Sequence, residues 1–202
     1  MGTRSLICIV KDGAYKLAKY CQWDGYPTGV GAGISDIIRE PGFLDRLKAK
    51  SDLLYEITDE EYYAAWRSIG VDLEAVSGWV KIEDGCKFDK LYPQMSRDTS
   101  YQILSIIANA QKPLGVRNDL DFAADSLFCE WGYVIDFDKE TFEIYKGFNQ
   151  MPLSENDRFF FLAEKERDGY YGIRKIAEFT FESIPSFETL KGIEQEVWDE
   201  NS

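Results

Sequence analysis

The densest set of residues able to do chemistry lies between Trp23 and Gly33, where the chain runs Trp-Asp-Gly-Tyr-Pro-Thr-Gly-Val-Gly-Ala-Gly. Gly29, Gly31 and Gly33 stand just ahead of an amphipathic run, and backbone N–H groups at such a junction can hold an anion with help from the helix dipole. The segment is not a P-loop, because no Gly-Lys-Ser/Thr follows. Nor is it a dinucleotide fingerprint, since Ile34 stands where the third glycine belongs. Asp24 has Trp23 and Tyr26 beside it, and a carboxylate between aromatic walls suits an amine, a base or a sugar. The competing reading is structural: Asp24 bonds its own backbone in an Asx turn, and the glycines meet tight-turn geometry.

Two further constellations carry possible chemistry. Asp136, Asp138 and Glu140 have the alternating spacing that supplies oxygens to a hard cation. A calcium loop of the EF-hand type would continue with Gly and end in Glu, whereas this chain has Thr141 and Gly147, so a solvated hairpin turn is expected and no metal. Thr3 becomes a nucleophile if cleavage after Gly2 frees its α-amine as a base, the mechanism of N-terminal-nucleophile hydrolases. Lys16 or Lys19 would tune that amine and Gly29 to Gly33 would donate to an oxyanion. Such chemistry needs no histidine, and the chain has none. That absence removes the commonest general base and zinc ligand, and the usual partner of catalytic Ser and Cys.

The elements that must position these residues follow from pattern. Arg4 to Lys11 and Ala14 to Trp23 are β-branched and aromatic runs joined by Asp12-Gly13, which suits a two-residue type I′ turn. An unbroken register puts Leu6, Cys8, Val10, Tyr15 and Leu17 on one face, Ile7, Ile9, Ala18 and Tyr20 on the other, and Cys21 opposite Arg4. Both faces are then apolar, which predicts a sheet covered on both sides. Short helices are expected at Ile34 to Glu40 and Phe43 to Lys50. Thr58 and Glu61 form a capping box ahead of Tyr62, Tyr63 and Trp66, and Gly70 closes that helix. A hairpin around Asp84-Gly85 is expected to pair Trp79 to Ile82 with Lys87-Phe88. Ser96 to Ala110 reads as the longest buried helix. Glu130 to Asp136 and Thr141 to Tyr145 read as a second hairpin, Phe159 to Ala163 and Ile173 to Phe181 as further strands, and a helix capped by Ser186 runs to about Trp198. The aromatic runs at Tyr62 to Trp66 and Phe159-Phe160-Phe161 are read as core. Strands and helices without strict alternation argue for one α+β domain over residues 1–202, its sheet mainly antiparallel and covered on both faces by helices, a layering also found in N-terminal-nucleophile hydrolases.

Composition bounds the function classes. Of 202 residues, 45% are apolar, enough for a large core without disulfides or a structural metal. The 23 basic residues against 36 acidic ones leave a net charge of −13, which repels phosphate backbones and anionic lipid alike. Direct nucleic-acid and membrane binding are therefore not expected. Cys8, Cys21, Cys86 and Cys129 form no CxxC pair, the apolar runs are too short for a signal or a membrane span, and Leu6 spoils a myristoylation signal. Four free thiols and a cytoplasmic location are expected.

Met1-Gly2-Thr3-Arg4 and Trp23-Asp24-Gly25-Tyr26-Pro27-Thr28-Gly29 together resemble the opening of a family of uncharacterised proteins of bacteria, phages and fungi. Those proteins start MGTR and carry a WDGYP-[ST]-G segment. Cys129-Glu130-Trp131 with Tyr133 to Asp136 is similar to a second block. Relatives often have histidine where this chain has Cys21 or Val30. The resemblance implies a specific loop and a phage or mobile-element origin, and it brings no activity or cofactor. The expected function is a non-enzymatic binding domain that takes a small ligand or a protein partner at Trp23, Asp24, Tyr26, Gly29, Gly31 and Gly33. The rivals are the Thr3 hydrolase and an acidic mimic that occupies a basic site on a host protein.

Overall fold

The computed structural model describes residues 2–75, 79–165 and 169–199; Met1 of the opening tetrapeptide and part of the Val71 to Tyr92 stretch lie outside them. The chain is α+β. Strands β1 (Ser5–Lys11), β2 (Ala14–Cys21), β5 (Trp131–Asp136), β6 (Thr141–Lys146) and β7 (Arg174–Thr180) form a five-stranded sheet in the order β2-β1-β5-β6-β7. Its pairings are antiparallel except β1 with β5. β3 (Leu54–Glu56) and β4 (Leu114–Val116) make a separate parallel pair. The described residues also form six α-helices: α1 (Ala32–Ile38), α2 (Phe43–Lys50), α3 (Asp59–Ser68), α4 (Ile82–Leu91), α5 (Gln102–Ala108) and α6 (Phe187–Asp199).

Asp12 and Gly13 turn the first hairpin with φ of 55° and 70°, the left-handed pair that a type I′ turn requires. The hairpin is not in unbroken register. A bulge follows Val10↔Tyr15, so that Ile9 pairs with Leu17 and Lys16 is the extra residue. One inserted residue exchanges the faces of everything beyond it. Leu17 and Cys21 therefore join Ile7 and Ile9, Ala18 joins Leu6, Cys8 and Val10, and Cys21 pairs with Ser5 rather than Arg4.

Both faces of β1 are buried, against different material. Ile7, Ile9, Tyr133, Ile135, Phe142 and Ile144 pack with residues of α1, α2, α5 and α6. Leu6, Cys8, Val10, Val134 and Tyr145 pack instead against Ala123, Ala124, Phe159 and Leu162. These come from 3₁₀ turns at Leu120–Ala124 and Phe160–Lys165 and the segments beside them. Among the described residues α1, α2, α5 and α6 lie against one face, and these 3₁₀ segments against the other. A third cluster, Ala65, Trp66, Ile69, Val71 and Phe88, joins α3 to α4.

The capping box is present: Glu61 N donates to Thr58 Oγ1 at 3.2 Å and Thr58 N donates to Glu61 Oε2 at 2.8 Å. Ser186 Oγ caps α6 by accepting from Thr189 N at 3.2 Å. Three expectations fail. The residues around Asp84-Gly85 form α4, because Phe88 is needed to stack on Trp66 at 4.0 Å between ring centroids. The helix expected from Ser96 to Ala110 is only α5, and α6 is longer. Phe159 to Ala163 is not a strand; Phe159 is buried in a 3₁₀ context, while Phe160 and Phe161 are exposed.

Cys8, Cys21 and Cys129 are buried free thiols and Cys86 is an exposed one. Cys8 and Cys21 lie on opposite faces of the hairpin and cannot bridge. Burial raises the Cys8 and Cys129 thiols and pushes Cys21 up to about 12, so none of the three offers a thiolate near neutrality. A thiol reagent applied without reductant should modify Cys86 alone in the native protein and all four cysteines in denaturant. Fewer than four after unfolding would mean a disulfide.

Candidate functional site

The Trp23 to Gly33 loop is built by close backbone approach. Asp24 takes a left-handed φ of 53°, and its carbonyl, not its carboxylate, ties the turn by accepting Val30 N at 2.9 Å. Gly25 N donates to Thr3 O at 2.9 Å and Gly25 O accepts the buried Tyr133 hydroxyl at 2.8 Å. A π-turn over Pro27–Gly31 then leads into α1. Each of the three singled-out glycines has a packing reason. A Cβ at Gly29 would lie under 3.0 Å from Asp24 O, one at Gly33 would lie under 3.0 Å from Tyr101 ring carbons, and one at Gly31 would press on Tyr133 at 3.1 Å.

The donors that an anion would use are engaged within the chain. Gly29 N and Gly31 N donate to Tyr26 O, at 2.9 and 3.4 Å, and Val30 N donates to Asp24 O. Thr28 N and Oγ1 both donate to Glu194 Oε2 of α6, at 3.0 and 2.8 Å. An internal carboxylate thus takes the place a bound anion would have, and it locks α6 onto the loop. What the loop turns outward is Trp23, 50% exposed, and the exposed Asp24 carboxylate, whose hydrogen-bond partner is the Tyr26 hydroxyl at 3.2 Å. The Asp24 charge raises the Tyr26 phenol.

Trp23 is linked to a cleft. Its Nε1 donates to Asp98 Oδ1 at 2.9 Å, and Asp98 lines a cavity of about 550 Å³ between β2, α3, α4 and the segment around Ser96. Trp23, Asp24 and Tyr26 are themselves outside that lining. One wall is aromatic, with Trp66 stacked on Phe88 at an interplanar angle of 5° and Tyr62 edge-on to Phe88. Lys19, Lys81, Arg97 and Arg117 stand among the lining residues with Asp89, Asp98 and Asp119. Lys19, only 5% exposed, donates to Ser96 O at 2.6 Å. Burial holds its ammonium below the ordinary lysine value.

Thr3 lies elsewhere, on a cavity of about 390 Å³ shared with Glu130, Lys146, Phe148 and Trp198. The groups expected to assist it are not brought to that cavity. Lys16 pairs with Asp52 near the hairpin turn, Lys19 points at Ser96, and Gly29 to Gly33 do not line it. The acidic trio is spent on turns: Asp138 accepts from Asp12 N and Gly13 N, both at 2.8 Å, and Asp136 Oδ1 accepts from Asp138 N and Lys139 N. Among the described residues no cluster of acidic, Cys or His side chains could hold a metal ion, and no helix is long and apolar enough to cross a membrane.

The pattern reading missed a buried charge centre beneath β6. Glu143, fully buried, receives Arg158 Nε at 2.7 Å and Nη2 at 2.8 Å, and the Tyr145 hydroxyl at 2.5 Å. Arg158 also binds Asp136. Burial alone would raise the Glu143 carboxyl, but Arg158 and Tyr145 outweigh it and hold it below the ordinary value. The available signal was a glutamate between Phe142 and Ile144 in a strand otherwise apolar. No protein-family model, curated protein or solved structure matches the chain.

Proposed function

We propose that this protein is a binding domain rather than a catalyst, and that its recognition surface is the Trp23, Asp24 and Tyr26 rim together with the adjoining cleft. The observation that carries this reading is the Trp23 Nε1 to Asp98 hydrogen bond, which ties a half-exposed tryptophan to a residue lining a cavity of about 550 Å³. Exposed aromatics at the edge of a concave, mixed-polarity pocket are what small-ligand and peptide recognition use. Gly29, Gly31 and Gly33 serve the site by shaping the loop, since their N–H groups or their Cα faces are already engaged by the protein itself.

The test uses a substitution that respects the backbone. Asp24→Ala would strain a left-handed residue whether or not the carboxylate matters, whereas Asp24→Asn keeps a residue that tolerates this conformation. Asp24→Asn should leave the melting temperature within about 2 °C of the parent, because the turn is held by the Asp24 carbonyl. Native mass spectrometry of freshly isolated protein should show a copurifying small molecule or peptide that is lost in Asp24→Asn and in Trp23→Ala. An adduct retained by both variants would place recognition elsewhere.

A further inference from the structure

We infer that the cleft beside Trp23 takes a small organic anion, its oxyanion meeting the Lys19 ammonium and the Trp66 indole N–H. This rests on the cleft being the binding site and goes on to name the chemistry of its occupant. Two buried donors on the cleft lining have capacity to spare. Trp66, 8% exposed, has an Nε1 without a hydrogen-bond partner among the described residues. A buried indole N–H left unpaired is costly, and such groups ordinarily find an acceptor. Lys19 has three donor positions, and Ser96 O is its one hydrogen-bond acceptor among the described residues.

The charge balance favours an anion over a cation. Of the three lining carboxylates, Asp98 already accepts from Trp23 Nε1 and Asp119 accepts from Tyr20 N at 3.0 Å. The cations are less spent. Arg97 is 3.9 Å from Asp98, and Arg117 lies over the Tyr62 ring at 4.6 Å, a contact that leaves guanidinium edges for a further acceptor. Against a whole-chain charge of −13, the lining's four basic side chains, Lys19, Lys81, Arg97 and Arg117, outnumber its three carboxylates, Asp89, Asp98 and Asp119, a local excess of positive charge suited to a small anion, because a polyanion meets the repulsion of the entire surface. Burial weakens the Lys19 ammonium, and a bound oxyanion would restore it.

The experiment uses 1-naphthoate and its neutral isostere 1-naphthylmethanol as probes, read by calorimetry and by the Trp66 indole resonance in a nitrogen-15 correlation spectrum, assigned from Trp66→Phe. Naphthoate should bind at least ten-fold more tightly than the alcohol and move the Trp66 indole proton downfield. Lys19→Met should weaken naphthoate ten-fold or more, and Trp66→Phe several-fold, with little effect on the alcohol. Equal binding of the two probes would overturn the anion inference and leave the cleft as a binding site. Absence of naphthoate binding would also overturn it; if the copurifying adduct still depended on Trp23, the reading of the loop would stand, and without such an adduct both would fall.

Discussion

Replacing Arg158 by Met should cost about 3 to 5 kcal/mol of stability at neutral pH, the range expected when one partner of a buried ion pair is removed. Arg158 binds Glu143 through two nitrogens and also reaches Asp136. Glu143 is 0% exposed and Asp136 is 2% exposed, so the variant strands two carboxylates away from water. Lys175 Nζ, 3.8 Å from Glu143, is too distant to replace the lost hydrogen bonds.

The pH dependence gives this prediction a second edge. In the parent protein the folded Glu143 carboxyl lies below its ordinary value of 4.5. Its contribution is therefore fully present above that value and is lost as pH falls through the lower folded value. Without Arg158, burial dominates and pushes the same carboxyl above its unfolded value, so the variant gains relative stability on acidification. The gap between parent and variant should be widest near neutrality and narrow below about pH 4.5. Urea titrations at several pH values measure it, and the double variant Glu143→Gln with Arg158→Met should recover part of the loss. A neutral-pH loss under about 1 kcal/mol would mean that the network contributes little to the fold.

Gly29→Ala should destabilise by about 1 to 3 kcal/mol, the usual cost of overpacking. In a domain of this size that lowers the melting temperature by roughly 2 to 4 °C per kcal/mol. The added methyl would meet the Asp24 carbonyl under 3.0 Å away. Backbone cannot swing aside as a side chain can, so the bond from Val30 N to Asp24 O must lengthen or break. Gly192→Ala is the opposite case. It lies inside α6 with nothing within 4 Å of the new methyl, so the substitution should stabilise by about 0.5 to 1 kcal/mol through helix propensity. Differential scanning calorimetry of the two variants should show shifts of opposite sign. A stabilised Gly29→Ala would show that the loop relaxes freely and that its glycines are not packing requirements.

Much of the fold was legible because its signals are local. Asp12-Gly13, the Thr58 and Glu61 box, the Ser186 cap and the alternating runs on either side of Phe137 to Glu140 all act through hydrogen bonds and dihedral preferences within a few residues. The α+β class followed from strands and helices without strict alternation, and the two-sided burial of β1 from the unbroken apolar run Leu6 to Val10. Residues whose conformation depends on a distant partner were misread. Trp79 to Ile82 and Lys87-Phe88 have enough β-branched and aromatic character to pass as a hairpin about Asp84-Gly85, yet Ile82–Leu91 is α4, with Phe88 stacked on Trp66 in the third cluster. The bulge at Lys16 had no local mark, yet it decides which side chains of β2 face which core.

The site divides along the same line. From the sequence alone came the loop itself and the glycine-rich turn that holds Gly29 against Asp24 O, because those are matters of local backbone space, whereas Gly31 and Gly33 are required by the distant Tyr133 and Tyr101. Only the tertiary structure decided that Glu194, 166 residues from Thr28 along the chain, occupies the loop's anion position, that Trp23 leans on Asp98 in the lining of a cleft, and that Lys19 and Trp66 bring spare donors to that lining. The reason is physical: a hydrogen-bond donor's role is set by which acceptors reach it, and for buried groups those come from anywhere in the chain.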